Sequence, residues 1–295
     1  MTVKVNGQEL EQILNKMVAL WRALVRCEVG DQLVHRVPTE DERRRWRSGM
    51  PWLALVPPET SEESFSLLID CVTATAKKVF PELSPDLSRA SDSLNGGTPV
   101  QEAFNRLRER VLKHDGNTHG NTQRTGFSGT VSPELQGFLA GAALKLFMWE
   151  YGKEAAGWCS VADWQRGICP VCGNYPSFSL LRDEERTRYL YCDLCGTNWR
   201  FSRIGCPFCE FSHGEQTLFV LEGHPEYRIY VCDACRGYLK TVDAKLRQPD
   251  NLLLENIRTS FIDLLLLREG YHNPAVDGGN LTALAEGGKH PLLQD

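Results

Sequence analysis

Apolar residues recur at three- and four-residue steps along the first half of the chain, and that spacing predicts helices. Leu10, Ile13, Leu14, Met17, Leu20, Trp21, Leu24 and Val25 make one buried helix face. Pro51 to Pro58 interrupts the pattern. Thr60 or Ser61 then caps a second helix carrying Phe65, Leu68, Ile69, Val72, Ala76 and Val79, with Pro81 and Pro85 ending it. Val100 to Leu112 carries a shorter helical pattern. Ser132-Pro133-Glu134 opens a long helix that is apolar around much of its circumference through Leu135, Phe138, Leu139, Ala142, Leu146, Phe147 and Trp149. Its small residues, Gly137, Ala140, Gly141, Ala142 and Ala143, predict the close approach of another helix and a central place in a bundle. Leu252 to Leu267 reads as one last amphipathic helix ended by Gly270 to Pro274, with a fraying tail from Gly278.

Between Ile168 and Lys240 the periodicity gives way to cysteine pairs. Eight of the eleven cysteines form four C-x-x-C turns: Cys169/Cys172, Cys192/Cys195, Cys206/Cys209 and Cys232/Cys235. Two residues between thiols let one tight turn aim both sulfurs at one metal ion, and two turns complete a tetrahedral shell. Four turns therefore predict two metal sites. Nineteen residues separate Cys172 from Cys192 and twenty-two separate Cys209 from Cys232, so two consecutive sites are the simplest pairing. An interleaved cross-brace would use the same ligands.

An internal repeat supports the consecutive arrangement. Arg-Tyr-Leu-Tyr-Cys-Asp-Leu-Cys (188–195) returns forty residues later as Arg-Ile-Tyr-Val-Cys-Asp-Ala-Cys (228–235), and Cys-Pro-Val-Cys at 169 returns as Cys-Pro-Phe-Cys at 206. Each copy predicts a metal turn, a β segment, a polar turn and a second β segment ending on the second metal turn. The chain thus reads as α+β: a helical N-terminal domain (1–160), two tetracysteine modules (161–202 and 203–245), and a C-terminal helix with its tail (246–295).

Other uses of the cysteines fit less well. Four disulfides need an oxidising compartment, and the first residues lack the apolar segment of an export signal. A thioredoxin-like C-x-x-C occurs beside a βαβ pattern that none of the pairs shows. Cys27, Cys71 and Cys159 are single among apolar neighbours and read as core residues. His114 and His119 lack ligand spacing, and His213 follows a turn whose site four cysteines already complete. With its thiols unpaired, the chain is expected in the cytoplasm.

Charge narrows the partners. The whole chain carries a formal net charge of -5, and no apolar run reaches the roughly eighteen residues of a membrane span. From Ser160 to Lys245 ten basic residues face eleven acidic ones, and two tetrathiolate sites add about −4. A phosphate backbone prefers a basic footprint, so nucleic-acid binding by zinc ribbons is disfavoured. Asp41 to Arg47, with four arginines, reads as a solvated helix face. Motifs for serine hydrolases, zinc proteases, P-loop NTPases and dinucleotide binding do not occur, so the chain is not expected to be an enzyme. Four protein thiolates leave a metal no open position for substrate. Such a shell takes zinc or iron, and only iron passes an electron.

Cys-Pro-Val-Cys-Gly-Asn-Tyr-Pro (169–176), Arg-Tyr-Leu-Tyr-Cys-Asp-Leu-Cys-Gly-Thr-Asn-Trp (188–199), Cys-Pro-Phe-Cys (206–209) and Cys-Asp-Ala-Cys-Arg-Gly-Tyr-Leu-Lys (232–240) together resemble the formate dehydrogenase accessory protein family, FdhE. Glu-Gly-Tyr-His-Asn-Pro (269–274) is similar to that family's closing motif. Looser matches are Arg45 to Pro51 and Pro133-Glu134-Leu135. The resemblance implies a cytoplasmic protein, not itself an enzyme, with two rubredoxin-like modules. It would bind the catalytic subunit of a molybdenum- or tungsten-containing formate dehydrogenase and be needed for its maturation. Iron at the eight named cysteines and association as a homodimer are implied in the same way, with zinc as the alternative metal. One departure is Asp250-Asn251, where the family shows two adjacent aspartates before its last helix. A stand-alone rubredoxin-type electron carrier is the alternative that leaves the helical domain without a use.

Overall fold

Helices α1 (Gly7–Leu24), α2 (Glu40–Arg47), α3 (Trp52–Leu55), α4 (Glu62–Val79), α5 (Ser84–Ser93), α6 (Thr98–Leu112) and α7 (Pro133–Ala155) come before a six-stranded sheet. This computed structural model describes residues 7–27, 36–94, 98–112, 132–158, 160–210 and 216–276. The caps lie where the sequence places them. Ser61, rather than Thr60, accepts from the Ser64 N–H at 3.1 Å to open α4, and Ser132 accepts from Leu135 at 3.4 Å to open α7. Helix α5 lies outside the periodic pattern because Pro85 reads as a stop. In the fold that proline occupies the helix's first turn, where its missing N–H has no intrahelical partner to lose.

Helix α7 is the hub of the helical domain. Its Phe147 ring lies 5.0 Å from Phe65 on α4 and 5.7 Å from Phe104 on α6. Tyr151 donates to the Val56 carbonyl at 2.8 Å. The expected close helix approach is corrected at the two glycines, where a Cβ added at Gly137 or Gly141 meets nothing within 4 Å, whereas Ala140, Ala142 and Ala143 are buried. The glycine that does permit close approach is Gly152, about three turns beyond Gly141, where an added Cβ would stand 2.1 Å from the Cys195 carbonyl oxygen. Helix α7 is apolar around its circumference because one side packs on helices and another on the metal region. In α2, Arg44, Arg45 and Arg47 face solvent while Trp46 is buried, as a solvated face requires.

The strands are β1 (Phe178–Arg182), β2 (Thr187–Tyr191), β3 (Asn198–Arg200), β4 (Gln216–Leu221), β5 (His224–Cys232) and β6 (Tyr238–Asp243), in the order β3-β2-β1-β6-β5-β4. Each sequence repeat makes three antiparallel strands, one more than the β segments predicted, since β3 and β6 follow the second metal turn of their copy. The two triplets stand in tandem and join by parallel pairing of β1 with β6, Ser179 opposite Thr241, with 2.6 Å between their hydroxyls. Leu180 and Leu181 of β1 are buried beneath that junction. In β4, the equivalent of β1, Leu218, Phe219 and Val220 are exposed. No strand covers their edge among the described residues.

The C-terminal helix is two helices, which corrects the single one expected: α8 (Leu252–Arg258) and α9 (Ser260–Arg268) meet at Thr259. The Thr259 hydroxyl donates to the Glu255 and Asn256 carbonyls at 2.9 and 3.1 Å. Lys240 of β6, buried, donates to the carbonyls of Asn256 and Thr259 at 3.2 and 3.3 Å and pairs with Asp263 at 2.5 Å. The break thus frees backbone acceptors that a buried ammonium needs. Asn251 caps α8, accepting from the Leu254 N–H at 3.1 Å.

Candidate metal centres

All four cysteine turns share one hydrogen bond. The first cysteine's carbonyl accepts from the N–H four residues on: Gly173 to Cys169 at 3.0 Å, Gly196 to Cys192 at 2.9 Å, Glu210 to Cys206 at 3.0 Å and Arg236 to Cys232 at 2.8 Å. Each donor residue is left-handed, with φ of 69°, 72°, 52° and 56°. A side chain in that conformation costs about 1–2 kcal/mol. The first module meets the requirement with glycine twice. In the second, the side chains at these positions hold neighbouring segments. Glu210 accepts from the Gly167 N–H at 2.8 Å and lies 3.4 Å from Arg166. Arg236 donates to the Glu269 and Gly270 carbonyls and lies over the Tyr271 ring.

The turns bring the sulfurs together as the consecutive pairing requires and the cross-brace does not. Cys169, Cys172, Cys192 and Cys195 form one group and Cys206, Cys209, Cys232 and Cys235 the other, each with its ligand atoms within 4.8 Å of one another. Cys169 and Cys195 sulfurs lie 3.4 Å apart, Cys172 and Cys192 3.5 Å, Cys206 and Cys235 3.7 Å, and Cys209 and Cys232 3.8 Å. A tetrahedron with metal–sulfur bonds of about 2.3 Å has edges of about 3.8 Å. Both groups could therefore hold one divalent ion each with little movement. Burial pushes the Cys172 and Cys192 thiols well above their usual range. In the second group Cys235 raises the Cys206 thiol, and hydrogen bonding with Cys206 draws Cys235 down to about 5. Four adjacent sulfurs that resist joint ionisation are what a central cation would relieve.

Their surroundings differ. Every sulfur-bearing residue of the first group is buried. The Trp46 indole and the Trp52 N–H both donate to the Pro170 carbonyl at 3.0 Å, and the Leu53 N–H donates to Val171 at 2.8 Å. Helix α7 grips the other turn: Trp149 donates to the Asp193 carbonyl at 3.2 Å, and Lys145 pairs with the Asp193 carboxylate at 2.8 Å. The segment Arg45 to Pro51 and Trp52 is thus a clamp on the first metal turn. Sequence reasoning noted the segment without assigning it that task. In the second group Cys206 and Cys232 are buried, while Cys209 and Cys235 are only half-buried.

Two of the single cysteines are not free thiols. Cys27 and Cys71 form a disulfide between the end of α1 and the middle of α4, with their Cα atoms 6.5 Å apart. They stand 44 positions apart in the chain, and no spacing rule connects them. Cys159, His114, His119, His213 and the tail from Gly278 lie outside the described residues. No helix among the described residues is long and apolar enough to cross a membrane.

The helical domain and the two four-sulfur groups define a class: an α+β protein bearing paired zinc-ribbon-like modules. Residues 168–203 match the family model "FdhE, central domain". The chain is 32% identical over 110 residues to a "Protein FdhE homolog" of Shewanella baltica strain OS223, covering 36% of each. It is 32% identical over 114 residues to the homologue of Pseudomonas aeruginosa, covering 36% of this chain and 37% of the relative. The matched part thus spans little more than a third of these curated relatives. The crystal structure of the FdhE protein from Pseudomonas aeruginosa shares the fold, with a TM-score of 0.59 over 96% of this chain and 95% of that one at 21% identity. Across its cysteine region the chain is similar to FdhE proteins, and its overall fold is that of the Pseudomonas aeruginosa crystal structure.

Proposed function

We propose that this protein is an accessory factor, not an enzyme, that binds the catalytic subunit of a formate dehydrogenase in the cytoplasm and is required for its maturation. The similarity to FdhE proteins across the cysteine region supports the accessory role. The observation that carries the reading at the site is closure: each group supplies four protein sulfurs, which fill a tetrahedral shell and leave no position for a substrate. Cys169, Cys172, Cys192 and Cys195 hold the first metal and Cys206, Cys209, Cys232 and Cys235 the second, iron by resemblance and zinc as the alternative. Iron in such shells supplies one-electron chemistry; zinc supplies structure alone.

The chain's own residues divide the work. Trp46, Trp52 and Trp149 fix the first pair of turns to the helical domain, and Glu210 and Arg236 fix the second pair to their neighbours. The result is a rigid platform in which the second site lies nearest the surface. The test is to tag the protein and capture it anaerobically from its own host. A formate dehydrogenase catalytic subunit recovered with it, and an inactive dehydrogenase in its absence, is the expected result. Recovery of nucleic acid, or of a reductase without the dehydrogenase, would overturn the reading.

A further inference from the structure

Arg188 lies on β2 of the first module, yet its side chain belongs to the second. It is 1% exposed, and its Nη1 donates to the Ser202 and Gly205 carbonyls at 3.4 and 3.3 Å, on the segment that leads into Cys206. Its guanidinium lies 4.3 Å from the Tyr230 ring centroid, and it packs beside Cys206, Phe208 and Cys232 around a narrow cleft. Its Nε and Nη2 are buried without a hydrogen-bond partner. Among the described residues no carboxylate lies within ion-pair distance of it.

The internal repeat supplies the control. Arg228 occupies the equivalent place in β5, and it pairs at 3.0 Å with Asp243, a carboxylate that is fully buried. One copy of the arginine has a buried counter-charge and the other has none of that kind. A buried guanidinium left so would carry a large desolvation cost. The anionic group beside Arg188 is the sulfur cluster of the second module, which carries a formal charge of about −2 once it holds a divalent ion.

We infer that Arg188 is the counter-ion of the second metal centre, supplied across the module boundary by the first. The inference rests on the metal reading proposed above. It makes Arg188 a positioning and charge-compensating residue for Cys206, Cys209, Cys232 and Cys235, and assigns it no such task for the first centre.

The experiment loads the full chain with zinc and titrates it with a chelator while alkylating freed thiols, so that peptide mapping reports each cysteine group separately. Arg188→Met is expected to lower zinc retention by Cys206, Cys209, Cys232 and Cys235 about tenfold or more, the usual range for losing an outer-shell partner. Retention by Cys169, Cys172, Cys192 and Cys195 should stay at the wild-type level. Arg188→Lys keeps the charge and should recover most of the loss. Equal retention in Arg188→Met and wild type overturns the inference. So does a Lys variant as weak as the Met variant, which would leave only the carbonyl contacts as the cause, or a loss shared by both groups. A wild-type chain that binds no zinc at either group would overturn the metal reading itself, and the inference with it.

Discussion

In the first module the four sulfurs lie beneath two tryptophans from around α2 and α3 and a glycine of α7, whereas in the second Cys209 and Cys235 reach the surface. The turns themselves are the same, down to the hydrogen bond and the left-handed residue that closes each. A short sequence motif therefore fixes the geometry of a metal turn, and the packing around it fixes what losing the metal would cost. The first centre is built into the core shared with the helical domain. The second is tied mainly to loops and the C-terminal helices through Glu210, Arg236 and Arg188.

The sharpest way to break that contrast is to remove one ligand from each. Assembly of a structural zinc site carries about 10–16 kcal/mol of apparent binding energy. Cys169→Ser is expected to lose its metal and to melt the helical domain with it, while Cys235→Ser loses the second metal and leaves helical melting near wild type. Circular dichroism with metal analysis reads both; identical melting curves would show that the centres are equivalent.

The disulfide is the next largest effect. Closing forty-four residues corresponds to about 4 kcal/mol in the chain-entropy model. Oxidised wild type should therefore melt above Cys71→Ser, by less than Cys169→Ser costs, and a reductant should remove the difference. In a cytoplasm the pair is expected as two thiols, and rapid alkylation of intact cells reads its state.

Gly152→Ala comes third. Its Cβ would stand 2.1 Å from the Cys195 carbonyl, and forcing that contact apart is expected to cost about 1–3 kcal/mol. Gly137→Ala, in open space, should cost nothing or stabilise slightly. A Gly152→Ala protein as stable as the Gly137→Ala one would mean that α7 is not seated on the metal turn.

Metal exchange is the mildest probe because it changes no residue. A chromophoric chelator should strip zinc in two phases, the faster from the second centre with its half-buried cysteines. A single phase of two equivalents would erase the distinction.

What was legible in the sequence was local. The C-x-x-C spacing, the repeat and the serine caps each lie within a few residues, and each shaped the structure as the spacing required; the apolar face of α1 did so from Leu20 to Leu24, while Ile13, expected on the same buried face, is exposed. The misses are of another kind. Pro85 carries the same local signal whether it ends one helix or begins the next. Cys27 and Cys71 meet only because α1 packs on α4. Gly152, not Gly137 or Gly141, receives the close neighbour because the partner is a metal turn and not a helix. Nothing near Arg188 distinguishes it from Arg228, and their different partners appear only once the two triplets stand side by side.

The parallel junction between β1 and β6 also sets a timetable. Thr241 is made 62 residues after Ser179, its neighbour in the sheet. At about 5–20 residues per second the ribosome needs roughly 3–12 s to deliver it. All four sulfurs of the first cluster are complete at Cys195, well inside that interval. On the metal reading proposed above, a nascent chain could take its first metal ion and dock it under the helices already made, while the leucines of β1 still wait for a strand. Translation speed and the supply of metal would then decide together whether that edge meets β6 or another chain.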